Sequence, residues 1–513
     1  MSTVQTATPA PFPVSDRALA LAAALATFVL VYGVELAGFG LSIDEEIASF
    51  EGDQALTWLQ QGRWGMALVA LLLPPVEAVP LVSTVLFGAG LLYATWRAAG
   101  DFELGRLAGV LFAAVHVGFP VWLHIVQFNT LAPGIGVGLA AAATGASLAV
   151  RGGLVNRALA VALIALATGI YQTLGIYAAL YALLHAHAAA TREAGRPAVA
   201  MFARTLAAAA ATWGAGVLLY WLVQKASLAA LATQMAYVGG FLQLDQLRAD
   251  PVGSMRAIVA FLQRLLLGAH PIYLGWGAAI LLLAWLGAAP WERLARRREA
   301  ALARWALALG VAAAGIGIAA VPAIVSVTSL PIRAQVVLPL LAAWLASRIG
   351  LAEALRPVRV AALLLAGYFV AVSASISSTL LYTDRVVRQA DAALTQQLVA
   401  RIRAALPATR PPGPLPVTLV GSTQFPVAGA LRKVEVFGTS FYEHDAGNIG
   451  RVLYYMHLQG VTGMVAMPFR TRPDLVPAVN AMPHWPAEGS VAWVGNTMVI
   501  KLSEPTALQT AGH

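Results

Sequence analysis

Apolar stretches of about 20 residues, the length that crosses a hydrocarbon core of about 30 Å, recur from residue 17 to residue 381 of this chain. About 11 of them are read as spanning helices: 17–40, 78–97, 104–122, 130–150, 156–170, 173–190, 200–223, 271–289, 301–325, 334–350 and 358–381. In lipid, backbone polar groups must bond within their own segment, so such a chain folds as a helical bundle. Composition agrees, since 59% of the 513 residues are hydrophobic and only 11% charged, against about a quarter in soluble domains. The apolar run after Arg17 is too long for a cleavable signal. Cysteine is absent, which excludes disulfides, thiolate metal sites and a Cys nucleophile. The expected fold class is a mainly α, polytopic membrane protein with a small C-terminal α/β extracytoplasmic domain.

Loop charge sets the expected orientation. Arginines gather at 97–106, 151–157, 191–204, 290–304 and 348–359, including Arg296, Arg297 and Arg298 in a row. Positive residues stay cytoplasmic, so the net charge of +9 reflects topology more than acidic partners. The Pro/Thr/Ala-rich tail at 1–16 is then cytoplasmic. Residues 17–382 form the membrane domain, with long outer loops at 41–77 and 224–270, and 383–513 form the outer domain. In that domain, 384–405 carries apolar residues at helical spacing (Val387, Ala390, Leu394, Leu398, Ile402). A Pro-rich linker, PATRPPGPLP, precedes β-like runs at 417–420, 434–437, 463–467, 491–494 and 498–502. A helix is expected at 448–459, and a hairpin turn at Gly495–Asn496 or Asn496–Thr497.

The stretch at 41–65, LSIDEEIASFEGDQALTWLQQGRWG, interrupts this pattern. It opens a run of five acids, Asp44, Glu45, Glu46, Glu51 and Asp53, within ten residues. If 43–50 is helical, Ile43, Ile47 and Phe50 form one apolar stripe, flanked by Asp44 and Glu46, with Glu45 on the far side. Trp58, Leu59 and Trp64 suggest a second segment lying in the membrane interface. A fixed carboxylate there acts as general base on a sugar hydroxyl or holds a divalent cation. An ordinary solvated acidic loop fits the spacing equally well.

The runs SIDEEIASFEGD and WLQQGRWG, with GIYQTLGIYAALY at 169–181 and FGTSFYEHDAGNIGRVLYYMHLQG at 437–460, resemble the O-antigen glucosyltransferase family of serotype-converting phages and its bacterial relatives. Those are polytopic transferases of the GT-C class, so the resemblance implies a GT-C-like bundle. It also implies a polyprenyl-phosphate-linked sugar donor, an envelope glycan such as O-antigen as acceptor, and work on the periplasmic face of a bacterial inner membrane. By the same resemblance Asp44 and Glu45 match the acidic pair after the first span. Asp44 is the candidate base; Glu45 is its partner or, with Asp44, the ligand of a divalent cation such as Mg or Mn.

Such a donor needs cations near the headgroup plane. Arg333, in SLPIRAQVV, is the foremost candidate because a guanidinium matches phosphate oxygens bidentately; a snorkelling anchor or the partner of an outer acid is its alternative. Arg63 follows, and an ion pair with Glu45 or Glu46 is its alternative. Arg264, Lys225 and His270 in the second long loop are equally interfacial anchors. Glu46, Trp64, Tyr171, Gln172, Tyr442 and His444 are candidate sugar or acceptor contacts. For Tyr171 and Gln172 the alternative is interhelical hydrogen bonding. The cluster Tyr442, Glu443, His444, Asp445 and Asn448 equally serves to cap the helix that follows. His116, His124, Gln127 and Asn129 fall at the outer end of a helix pair.

No P-loop is present, and no basic–aromatic interleaving points to nucleic acid. The rival readings are a transporter or flippase of lipid-linked sugars, and a non-catalytic scaffold in envelope assembly. The first requires ionisable residues lining a path through the spans. The second is indifferent to neutralising Asp44 or Arg333.

Overall fold

The computed structural model describes residues 15–510 except 39, 51–53, 74–79, 192–196, 236–242, 267–297, 328–330, 351–355 and 411. The expected span at 271–289, His270, Glu51, Asp53 and residues 1–14 of the N-terminal tail lie outside the described residues.

Among the described residues, eight helices are long and apolar enough to span a membrane: Asp16–Ala37, Leu81–Asp101, Arg106–Val126, Ala132–Arg151, Gln172–Thr191, Val199–Ala230, Ala306–Ser326 and Arg359–Ala405. The expected spans at 156–170 and 334–350 are shorter apolar helices, Leu154–Ile170 and Val337–Arg348. The first ends because Tyr171 takes extended backbone before Gln172 starts the next helix. The second is preceded by the tight turn Ile332–Ala334, which follows Pro331 and carries Arg333. Aromatic side chains fill the bundle, among them Phe28, Tyr32, Phe87, Phe112, Trp122, Tyr177 and Trp344.

The acidic stretch breaks into short helices, Glu45–Ala48, Gln54–Gln60 and Trp64–Leu72. The last is seated against Leu154–Ile170. A Cβ at Gly65 would stand 2.8 Å from the Gly169 and Ile170 backbones, and one at Gly169 would stand 2.5 Å from the Trp64 ring. Two glycines and one indole thus let the backbones approach as small residues do between membrane helices.

The helix expected at 384–405 is no separate element. Arg356–Ala405 is one helix of 50 residues, so the last span and the start of the tail share an axis and residue 383 falls within it. No Gly or Pro interrupts the chain from 368 to 405, and the apolar period simply continues. Leu394, Leu398 and Ile402 pass their faces to the tail, where they form a core with Leu415, Val417, Tyr455 and Ile500. Ile43 belongs to that same core, so the acidic loop is folded onto the tail.

The tail sheet has strands β1 (Leu415–Val420), β2 (Met464–Ala466), β3 (Val491–Val494) and β4 (Thr497–Lys501), in the order β2-β1-β4-β3. β1 runs parallel to both β2 and β4, and β3 and β4 form the expected hairpin across Gly495 and Asn496. The helix Ile449–Leu458 is capped by Asn448, whose Oδ1 accepts from the Gly450 N–H at 2.9 Å. The run at 434–437 is not a strand but a tight turn, in which Val434 and Phe437 bridge each other. Gly65→Val should cost the about 1–3 kcal/mol of an overpacked contact. A melting temperature in detergent equal to that of the wild type would show that this segment is not held there.

Candidate active site

Asp44 sets the geometry of the acidic run. Its φ of 83° is left-handed, a region that Asp visits more readily than most residues. Its carbonyl starts the Glu45–Ala48 turn, but its side chain makes no capping bond. The kink sends Glu45 one way and leaves Asp44 and Glu46 on a common partner.

Glu45 is fully buried toward the bundle. Its Oε1 accepts from the Asn129 backbone N–H at 2.9 Å and from Asn129 Nδ2 at 2.7 Å, and its Oε2 from the Ser42 N–H at 3.0 Å. Burial outweighs these bonds and, with the charge of Glu35, pushes its carboxyl up to about 8. Glu46 is also fully buried, and burial raises its carboxyl against the pull of Arg451. Asp44 alone is half exposed, with 50% of its side chain accessible.

Arg451, on the Ile449–Leu458 helix of the tail, gathers the acids. It donates Nη2 to Asp44 at 2.5 Å, Nε to Glu46 at 2.7 Å and Nη1 to Asp445 at 2.8 Å, with 9% of its side chain exposed. Asp445 thus pairs with Arg451 and leaves capping to Asn448. His444, 3.6 Å from Asp445, is kept below the ordinary imidazole range by burial and then by the charge of Arg451, which leaves it neutral.

These groups line a cavity of about 420 Å³ between the acidic loop, the bundle and the tail. Asp44, His444, Asp445 and Arg451 stand on one side, and Trp58, Arg63, Phe128 and Arg333 also line it. The Arg63 guanidinium lies over Tyr171 at 4.8 Å and Trp58 at 5.4 Å, and Arg333 lies over Phe128 at 4.7 Å. Such contacts use the face of the guanidinium, and in-plane N–H groups point elsewhere.

The remaining described candidates fall outside the cavity wall. Gln172 donates to the Gln61 and Gly62 carbonyls at 3.2 and 3.0 Å, and Tyr220 joins it at Gly62 at 3.0 Å, fixing the turn before Arg63. Tyr171 is buried beneath Arg63, and Trp64 packs on Gly169. Tyr442 is fully buried in the tail core, its hydroxyl 2.6 Å from Thr395 Oγ1. Lys225 is exposed and lies 4.2 Å from the centre of the Trp221 ring. Arg264 is on the Pro251–Leu266 helix, and its side chain, like His270, lies outside the described residues.

A divalent cation between Asp44 and Glu45 does not fit this arrangement. The Glu45 oxygens are taken by Ser42 and Asn129, Asp44 turns to Arg451, and no group of three His, Asp or Glu side chains among the described residues is placed to share an ion.

Arg451 and Glu435 escaped the sequence reading. Arg451 stands 405 positions from its partner Glu46, and its one signal is that three adjacent acids on an apolar chain require a cation. Glu435 was hidden in the alternating run VEVF.

The fold and this cavity define a polytopic membrane protein with acids and guanidinium groups gathered at one end of a helical bundle. Residues 34–350, well over half of the chain, match the glucosyl transferase GtrII family, and the chain belongs to that family; it is a membrane glycosyltransferase. The match holds Asp44, Glu45, Arg63 and Arg333, and stops short of Arg451. No curated protein and no solved structure matches the chain.

Two outcomes follow from these contacts. Arg451→Ala leaves Glu46 buried without its counter-charge and should cost about 3–5 kcal/mol, read as a lower melting temperature. Glu45 is raised from the ordinary 4.5 to about 8, so its contribution to stability is full below pH 4.5 and is lost as pH rises through about 8. Glu45→Gln, neutral at every pH, should flatten that fall. An unchanged slope of melting temperature between pH 4.5 and 8 would rule out a neutral Glu45 in the fold.

Proposed function

We propose that the protein moves a glucosyl group from a polyprenyl-phosphate carrier to a hydroxyl of an envelope glycan such as O-antigen. The reaction takes place in the cavity at the tail end of the bundle, on the periplasmic face of a bacterial inner membrane. The enzyme is of the GT-C type. The single observation that carries this reading is that Asp44, the half-exposed carboxylate of the acidic run, shares a cavity with Arg63 and Arg333.

The acceptor hydroxyl gives its proton to Asp44 as its oxygen bonds to C1 of the sugar. The C1–O bond to phosphate breaks, and polyprenyl phosphate leaves with the electron pair. Arg451 holds Asp44 by Oδ1, which leaves Oδ2 for the hydroxyl. Arg333 and Arg63 stabilise the charge that develops on the leaving phosphate. Glu45 does not reach the cavity in this reading and instead fixes the Asp44 backbone against Asn129. The carrier's apolar tail lies between spans, in contact with the bilayer.

General-base assistance is worth about 10²–10⁴ in rate. Asp44→Asn should keep the wild-type melting temperature and lose at least about 10² in turnover. The assay is transfer of radiolabelled glucose from its polyprenyl phosphate to acceptor glycan in vesicles. Wild-type transfer by this variant removes Asp44 as base; no transfer by the wild-type protein removes the whole reading.

A further inference from the structure

The turn that brings Val436 to the cavity also carries a carboxylate into the bundle. Val434 and Phe437 exchange backbone hydrogen bonds at 3.0 and 3.2 Å, which forces Glu435 to a left-handed φ of 52°. A non-glycine residue there costs of the order of 1–3 kcal/mol and persists only when its surroundings hold it. Those surroundings are specific. Phe437 is fully buried in the core of the bundle, edge-on to His124 with ring centres 5.3 Å apart.

Glu435 Oε1 accepts a hydrogen bond from the Ile332 N–H, one residue before Arg333. Oε2 lies 3.5 Å from His124 Nδ1 and 3.9 Å from Arg333 Nη1. Burial raises the carboxyl, but His124, the Ile332 N–H and Arg333 together bring it below the ordinary glutamate range, so it is ionised. The two contacts toward the Arg333 segment differ in kind. The bond to Ile332 is direct, whereas the guanidinium is beyond hydrogen-bond distance and feels only the charge. Glu435 thus fixes the turn that carries Arg333 without occupying its donors.

We infer that Glu435 is a positioning residue for a phosphate site: the tail, through this one carboxylate, locks the Ile332–Ala334 turn and holds the Arg333 guanidinium over Phe128, facing the cavity. The anionic group it prepares for is the phosphate of the sugar donor, and the inference rests on the reading of Arg333 given above. The donor site is then shared between bundle and tail, and Glu435 lies outside the family-matched region.

The test is a double-mutant cycle on the full chain in vesicles, with KM for the polyprenyl-phosphate sugar, KM for the acceptor and kcat measured for each variant. Arg333→Ala should raise the donor KM about 10- to 100-fold, the worth of a charge-assisted contact. Glu435→Ala should raise the donor KM about 10-fold, leaving the acceptor KM unchanged, and the double variant should be no worse than Arg333→Ala alone. Glu435→Gln, which keeps an acceptor for the Ile332 N–H, should recover most of the loss. Should Glu435→Ala not fold, Glu435→Asp, which keeps the charge and loses the reach to Ile332, carries the same test. If Arg333→Ala raises the donor KM while the Glu435 variants do not, or the two effects add, the inference falls and the phosphate role of Arg333 stands. Equal changes in both KM values would mark Glu435 as merely structural and also overturn it. An unchanged donor KM in Arg333→Ala overturns the phosphate role itself, and the inference with it.

Discussion

Burying a guanidinium costs several kcal/mol in lost hydration, and the cost is recovered only when carboxylates meet it with good geometry. Arg451 meets three, on Asp44, Glu46 and Asp445, at 2.5 to 2.8 Å. The loop at 42–50 has too few residues for a core of its own. Ile43 is lodged in the tail core instead, and the exposed Phe50 stacks on Tyr454 with ring centres 5.8 Å apart. The ion cluster and this packing reinforce each other, because each is possible only when the tail helix Ile449–Leu458 lies over the loop. The loop would not keep its present form without the tail.

The opposite side of the loop is fastened by different physics. Glu45 turns toward the bundle and takes three hydrogen bonds from Asn129 and Ser42. Burial strong enough to raise its carboxyl to about 8 removes the need for a counter-ion near neutral pH. One acid is therefore bonded to a cation on the tail and its neighbour to amides on the bundle. Asp44 stands between two fixed points with half of its side chain accessible. Preorganisation of this kind suits the proton-accepting role proposed for Asp44.

Much of this was legible in the chain. Hydropathy located most spans, because lipid tolerates few residue types, and alternating residues located all four tail strands to within a few positions. The run at 44–46 stood out because acids are costly beside a membrane. What escaped shares one cause, that periodicity reports which face of an element is buried and not what covers it. VEVF alternates as a strand does, yet the bridge between Val434 and Phe437 makes it a turn and aims Glu435 at Ile332. Residues 358–381 and 384–405 read as two elements because their polarity differs, whereas the backbone between them contains nothing that stops a helix. Tyr442 looked like a ligand contact since it neighbours His444, but Phe441 and Tyr442 are buried in the tail core while His444 and Asp445 line the cavity.

The cations of the cavity fall into two groups by what holds them. Arg451 is held in its own plane, by carboxylates at three of its nitrogens, and its charge is answered within the fold. Arg63 and Arg333 are held by their faces, on Tyr171 and Trp58 in one case and Phe128 in the other. An aromatic face fixes the position of a guanidinium with little use of its N–H groups, and Glu435 at 3.9 Å supplies Arg333 with charge and no close bond. In the proposed reaction the donor phosphate meets cations of the second group, whose guanidinium groups rest on aromatic rings in the cavity wall. The sequence neighbours of each cation differ accordingly: Arg451 lies six residues after its partner Asp445, whereas Arg63 sits between Trp58 and Trp64.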